Sequence, residues 1–270
     1  MFGGHNHQYA NTIVDGKLLV QSYSYGTAFS DVDFVIDPAT KDITSKKAEI
    51  VSAVRTITPD AGIKELLDEY LADVAPILNV KIGNTKKGIS RDQNPDGESA
   101  MGNLIADAMR SHTGTDFAFM NPGGIRAEID AGEITWKEAF TVQPFGNDLV
   151  TMDLTGQQVY ELFESQWAKD PNAPRILQIS GLKVSYDSSK PEGSRIQSVT
   201  TGDDQPLNLA KTYSITVNNF MAGGGDGYTV LLEGKNQVID IVDLEAFVSY
   251  IKAQGTVDPV EEGRITKVNK

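Results

Sequence analysis

Apolar and polar positions change period several times along the chain, and each change marks a predicted element. In "KLLVQSYSYGTAFSDVDFVI" (17–36) two β-rich stretches are broken at Gly26, which predicts two strands joined by a turn. Helical spacing follows: Thr58 as N-cap, Pro59 at the first position, then Ile63, Leu66, Leu67, Tyr70, Leu71 and Val74 up to Pro76. A second helix is predicted from Glu98 and Ser99, with Met101, Leu104, Ile105, Ala108 and Met109 on one face, and the strand-like "DFAFMN" (116–121) comes after it. "LVTMDL" (149–154) reads as a strand running into Thr155-Gly-Gln-Gln158, a capping box, with Val159, Leu162 and Phe163 marking a third helix.

Beyond Pro171 and Pro174 the pattern is strand-like at 182–187, 195–201 and 212–219, interrupted by the polar turns "SSKPEGS" and "TGDDQ". A last helix carries Leu244, Phe247, Val248 and Ile251, and "RITKV" closes the chain as a strand. Helices and strands that mix without strict alternation predict an α+β fold, a mixed sheet with packed helices. No internal repeat or low-complexity tract interrupts it.

Composition narrows the function classes. The 270 residues are 40% apolar with a formal net charge of -13, so a polyanion-coating role is disfavoured: nucleic-acid binding rests on Lys and Arg neutralising phosphates. A small phosphorylated ligand stays open if a few arginines converge. No apolar run of about 18 residues is present, so no membrane span is expected. The absence of cysteine excludes disulfides and thiol catalysis. The opening "MFGGHNHQYANT" has neither a basic start nor an apolar core of a signal peptide, and reads like the interior of a longer chain.

Four stretches hold candidate chemistry. "NNFMAGGGDGY" (218–228) matches neither phosphate-cradling fingerprint, yet its glycines allow close backbone approach and Asp226 offers two acceptors suited to vicinal hydroxyls. A tight structural turn is the other reading of those residues. In "NPGGIR" (121–126), Asn121 and Arg126 flank Gly123 and Gly124, a pattern in which a guanidinium and backbone amides can meet one anion; a surface turn with a solvated arginine is the alternative. Phe145 and Phe220 lie beside these turns and are candidates either for stacking on a nucleobase or for the core. "GGHNH" offers two imidazoles, His5 and His7, fewer than a hydrolytic metal centre takes; the remaining histidine, His112, falls inside a predicted helix.

Read in order, "ESAMGNLIADAMR", "MNPGGIRAEI", "VQPFGNDLVTMDLTGQQV" and "NNFMAGGGDGY" resemble the C-terminal domain of the 5′-nucleotidase family, from about residue 80 to the end. The resemblance implies a division into residues 1–45, the tail of a metallophosphoesterase domain; 46–79, a linker helix region; and 80–270, a substrate-binding domain. It implies that Phe145 and Phe220 stack on the base, that Asp226 takes the ribose hydroxyls, and that Asn121, Arg126 and Arg91, with Gly123 and Gly124 in the turn, meet phosphate. Pro122 departs from relatives with glycine there and removes one N–H. "GGHNH" is similar to the family's last metal-ligand motif, which places His5 and His7 on two divalent ions such as zinc or manganese; the preceding ligand motifs are absent. The expectation is therefore a fragment of an exported phosphoester hydrolase, in the periplasm, cell wall or extracellular space, inactive alone but able to bind a nucleotide or nucleoside. A non-enzymatic nucleotide-binding module is the alternative.

Overall fold

The computed structural model of the chain describes residues 1–170 and 172–268; Pro171 and the last two residues of the C-terminal region lie outside that range. The chain divides into two compact units, Met1–Leu71 and Ala72–Lys270.

The first unit holds two antiparallel hairpins. β1 (Tyr9–Val14) pairs with β2 (Lys17–Ser22), and β3 (Ala28–Ile36) with β4 (Ile43–Ser52). The strands predicted on either side of Gly26 are β2 and β3, but each takes another partner. The reason is local: Asp15 (φ 48°) and Gly16 (φ 69°) are both left-handed, the geometry of a tight two-residue hairpin turn, and they close β1 onto β2. Only Leu18 and Val20 are buried apolar residues here. α1 (Ala61–Leu78) begins two residues later than its spacing predicts, because the Asp60 carboxylate, not Thr58, accepts the Ile63 N–H at 3.0 Å. The boundary between the units falls inside α1, and Pro76 sits in its last turn.

The second unit contains β5 (Lys81–Thr85), α2 (Ala100–Thr113), β6 (Phe117–Met120), β7 (Gly132–Thr135), α3 (Trp136–Val142), β8 (Asp148–Thr155) and α4 (Gly156–Glu164). β9 (Gln178–Ser180), β10 (Leu182–Tyr186), β11 (Ile196–Thr201), β12 (Thr212–Asn218), α5 (Asn219–Ala222), β13 (Lys235–Val242), α6 (Asp243–Gln254) and β14 (Ile265–Lys267) follow. The central sheet has the order β13-β8-β12-β6-β9, with β12 and β6 parallel and the other pairs antiparallel, so it is mixed. β11-β10-β14 form a second sheet, and β5 pairs with β7. The fold is α+β with packed helices.

Alternation along β6 explains why that strand is central. Phe117 and Phe119 enter one apolar cluster with Phe163, Trp167 and Tyr228; Ala118 and Met120 enter the other with Met101, Ile105 and Phe247. A strand buried on both faces reads as a continuous apolar run, as "FAFM" does. The predicted helix ends are present: Ser99 caps α2 through Gly102 N at 3.1 Å, and Thr155 with Gln158 forms a reciprocal capping box on α4. A second capping box, Thr135 with Glu138, opens α3. Among the described residues, no helix is long and apolar enough to cross a membrane.

Candidate functional site

Parallel pairing of β6 with β12 sets their carboxyl ends side by side, the region of an α/β sheet where ligand crevices form. Asn121 leaves β6 and Asn218 ends β12; both are buried. Asn218 accepts the Met221 N–H at 2.9 Å, capping α5, and donates to the Asn121 side-chain oxygen at 2.9 Å. Asn121 in turn donates to Asp226 Oδ2 at 3.2 Å. A relay of two amides thus runs from the sheet to the carboxylate.

Asp226 is held in the left-handed region (φ 58°) between Gly225 and Gly227 (φ 93°), which is why glycines crowd this turn. A Cβ on Gly225 would stand 2.6 Å from the Phe220 ring and from the Phe220 carbonyl oxygen. The missing side chain is therefore what lets the ring lie over the turn. The Asp226 side chain, 7% exposed, also meets Lys169 Nζ at 3.4 Å and Arg175 Nε at 3.5 Å on Oδ1. Tyr228, wholly buried, donates its hydroxyl to the Arg175 carbonyl at 2.7 Å; burial first and the Asp226 charge second push that phenol well above its usual range.

The 121–126 turn forms the next wall. Pro122 opens a 3-10 turn over Pro122–Gly124, a position that suits proline because its N–H would have no partner there. Gly124 is buried, and a Cβ on it would lie 2.4 Å from the Met120 methyl; a Cβ on Gly123 would face Asn121, Asp226 and Arg175. Arg126 donates to the Gly123 carbonyl at 3.1 Å, and its guanidinium carbon lies 5.6 Å from the centroid of the Phe145 ring. Arg91 donates to the carbonyls of Ile125 at 3.2 Å and Arg126 at 3.1 Å. A cleft of about 460 Å³ opens between Arg91, Gln93, Pro122, Gly123, Pro174 and Arg175.

Phe145 and Phe220 are not core: they are 57% and 48% exposed. Phe145 lies by Arg126, which donates to the Gly123 carbonyl, and Phe220 lies against the Gly225 turn beside Asp226. The Phe145 turn is tied to α6, where Asp243 N–H donates to the Asn147 carbonyl at 2.8 Å. The buried Asp243 carboxyl is pushed up to about 6, chiefly by desolvation.

His5 and His7 lie in the first unit, both exposed and both at positive φ. The His7 ring meets Tyr25 edge-on at 5.2 Å. Among the described residues, no group of three or more His, Cys, Asp or Glu is arranged to hold a metal ion. Two imidazoles are fewer ligands than a hydrolytic ion takes, so by themselves these residues do not fit a two-ion centre. Sequence reasoning missed Asn218, Lys169, Arg175 and Tyr228. Asn218 was legible as an N-cap three residues before Met221; Lys169 and Arg175 sit in a polar, proline-containing segment that gives no local signal.

Residues 81–233 match the family described as 5′-nucleotidase, C-terminal domain. The chain is 38% identical over 98% of its length to "Endonuclease YhcR" of Bacillus subtilis, covering 22% of that protein. It is 37% identical over 98% of its length to "Cell wall protein Lmo0130" of Listeria monocytogenes, covering 37% of that protein. The solved structure of a 5′-nucleotidase precursor from Thermus thermophilus superimposes with a TM-score of 0.81 at 34% identity, over the whole of this chain and 59% of that one. The chain thus spans from 22% to 59% of the length of these relatives.

Proposed function

Because this chain belongs to the 5′-nucleotidase family, we propose that it is the nucleoside- and phosphate-binding part of a longer phosphoester hydrolase. The observation that carries this reading is the amide relay from Asn218 through Asn121 to Asp226, which holds a carboxylate beyond the carboxyl ends of two parallel strands, in a turn that also carries the exposed Phe220 ring. Asp226 takes the ribose hydroxyls, Phe220 and Phe145 cover the base, and Arg126, Arg91 and Asn121 meet phosphate beside Gly123 and Gly124. Residues 1–45 act as the tail of a metallophosphoesterase domain, 46–79 as the linker and 80–270 as the binding domain. The hydrolytic step, with the two divalent ions that the family resemblance implies, belongs to residues of the parent protein outside this chain. His5 and His7 would add the last ligands to that centre. Export to the cell wall, the periplasm or the cell surface is part of the same reading, supported by the name of the Listeria relative.

Binding energy from base and ribose orients the phosphate, as contacts remote from the reacting bond do. Calorimetry with adenosine and AMP tests this. Both ligands are expected to bind, and Phe220→Ala is expected to weaken both by about 1–3 kcal/mol, the contribution of a stacked base. Absence of binding by either ligand would overturn the reading.

The alternative is a nucleotide-binding module without hydrolysis, favoured for the isolated chain by a motif that offers two imidazoles, His5 and His7, and by the absence among the described residues of a group of three or more metal-ligating side chains. Phosphate release from AMP, with manganese or zinc added, separates the two. None is expected from this chain alone, and turnover at the rate of a complete nucleotidase would sink the fragment reading.

A further inference from the structure

Arg175 is fixed with unusual thoroughness for a half-exposed residue. Its N–H donates to the Gln166 carbonyl at 2.8 Å, and its own carbonyl accepts the buried Tyr228 hydroxyl at 2.7 Å. On either side the chain is set as well: Pro174 has a restricted φ, and the Ile176 carbonyl accepts from Gln93 at 3.1 Å. Its side chain pairs with a carboxylate through Nε, 3.5 Å from Asp226 Oδ1. Nη1 lies beside Gly123, 3.8 Å from where a Cβ would stand, and Arg175 lines the cleft with Arg91.

An arginine held through Nε by one anion keeps its remaining N–H donors in a planar fork, the geometry that takes a second anion such as a phosphoryl group at low cost in side-chain entropy. Charge supports the same use. Around Asp226 stand Lys169 and Arg175, and Arg91 and Arg126 line the adjacent turn, so cations outnumber the acids Asp226 and Asp92 in a protein of net charge -13. Such a local surplus serves an anionic ligand rather than the stability of the fold.

We infer that Arg175 is a specificity-determining residue, which contacts the 5′-phosphoryl oxygens of a bound nucleotide across the cleft from Arg91 and selects nucleotide over nucleoside. Asp226 has a second role here, as the residue that orients this guanidinium while receiving the sugar, so that recognition of ribose and of phosphate meet on one carboxylate. The inference rests on the binding reading proposed above. Lys169, 55% exposed, supplies charge to Asp226 but is not among the residues that line the cleft.

The test is calorimetry of the full chain with adenosine, 5′-AMP and inorganic phosphate, comparing wild type, Arg175→Ala, Arg175→Lys and Lys169→Ala. The quantity read is the ratio of 5′-AMP affinity to adenosine affinity. In the wild type AMP is expected to bind more tightly; Arg175→Ala is expected to reduce the ratio by about tenfold, as loss of a charge-assisted bidentate contact does. Arg175→Lys is expected to restore it in part, and Lys169→Ala to change it by less than Arg175→Ala. Inorganic phosphate is expected to compete with AMP in the wild type and to lose potency in Arg175→Ala. If wild type binds both ligands and the ratio is the same in Arg175→Ala, or if Lys169→Ala lowers it as much, Arg175 is no phosphate contact and this inference falls while the binding reading stands. If wild type binds neither adenosine nor AMP, both fall. A far-ultraviolet spectrum and thermal melt of each variant confirm that the compared proteins are folded.

Discussion

The turns at Gly3–His7 and Gly223–Tyr228 are made of the same ingredients, yet they gather different company: Asn6 in the first accepts from the Gln21 side chain, whereas Asp226 in the second is met by two cations. Each joins paired glycines to polar side chains, and each holds a non-glycine residue in the left-handed region: His5 and His7 in the first, Asp226 in the second. Asp226 meets three side chains from two segments far away in sequence, Asn121 on one and Lys169 and Arg175 on the other. His7 meets the Tyr25 ring, and no third metal-ligating side chain joins it among the described residues. Backbone strain and polar side chains in a turn are thus only the raw material of a site; convergence of distant side chains makes one.

Substitutions separate the two turns. The largest expected effect is that of Asp226→Ala on adenosine binding, a loss of about 1.5–3 kcal/mol by calorimetry, because hydrogen bonds to a charged group disappear and two cations lose their counter-charge. A wild-type affinity in this variant would make the second turn as inert as the first. Gly225→Ala comes next: its Cβ meets both a ring and a carbonyl oxygen, and overpacking of this kind costs about 1–3 kcal/mol. Reduced adenosine affinity and a lower melting temperature should appear together, since Phe220 has to move.

Asn218→Ala should lower stability by about 1 kcal/mol through loss of the α5 cap, read as a shift in urea midpoint, and should also weaken ligand binding by leaving the Asn121 oxygen without its donor. The Phe145 side answers to pH instead. Asp243, with its carboxyl pushed up to about 6, binds its proton more tightly in the folded state than in the unfolded chain. Its contribution to stability is therefore complete below about pH 4, the ordinary carboxylate range, and is lost as pH rises through about 6. Melting temperatures of Asp243→Asn across that window should show a smaller fall than wild type, and parallel curves would remove Asp243 from the account. The smallest effect is expected from Gly4→Ala, whose Cβ meets nothing within 4 Å: a change within about 0.5 kcal/mol in the melt. A large loss there would give the first turn packing that its surroundings do not show.

Most of the fold was legible in the sequence because helices and buried strands announce themselves by local periodicity. The α2 face, the Thr155 capping box and "FAFM" needed no distant information. The pairing of β2 with β1 was not read, because the deciding Asp15–Gly16 turn lies just outside the stretch whose alternation drew attention. β5 and β7 were missed for a different reason: short strands interrupted by glycine or turn residues carry too few alternations to count.

For the candidate site the division is sharper. The amino-acid sequence already displays which residues have the chemistry: an acid among glycines, aromatics beside turns, and arginines in a chain otherwise rich in acids. The glycines at 224, 225 and 227 already allowed positive φ and a close backbone approach, since conformational freedom is a property of single residues, and Gly224 and Gly227 use it. Which of those groups meet is set by the fold. Parallel pairing of β6 with β12 brings positions 121 and 218 within one hydrogen bond, and the loop holding Lys169 and Arg175 is delivered to Asp226 by the packing of Tyr228 beneath it. Such contacts span tens of residues or more and leave no mark on local spacing, because strand register and core packing, not the identity of neighbouring residues, set the distance between side chains.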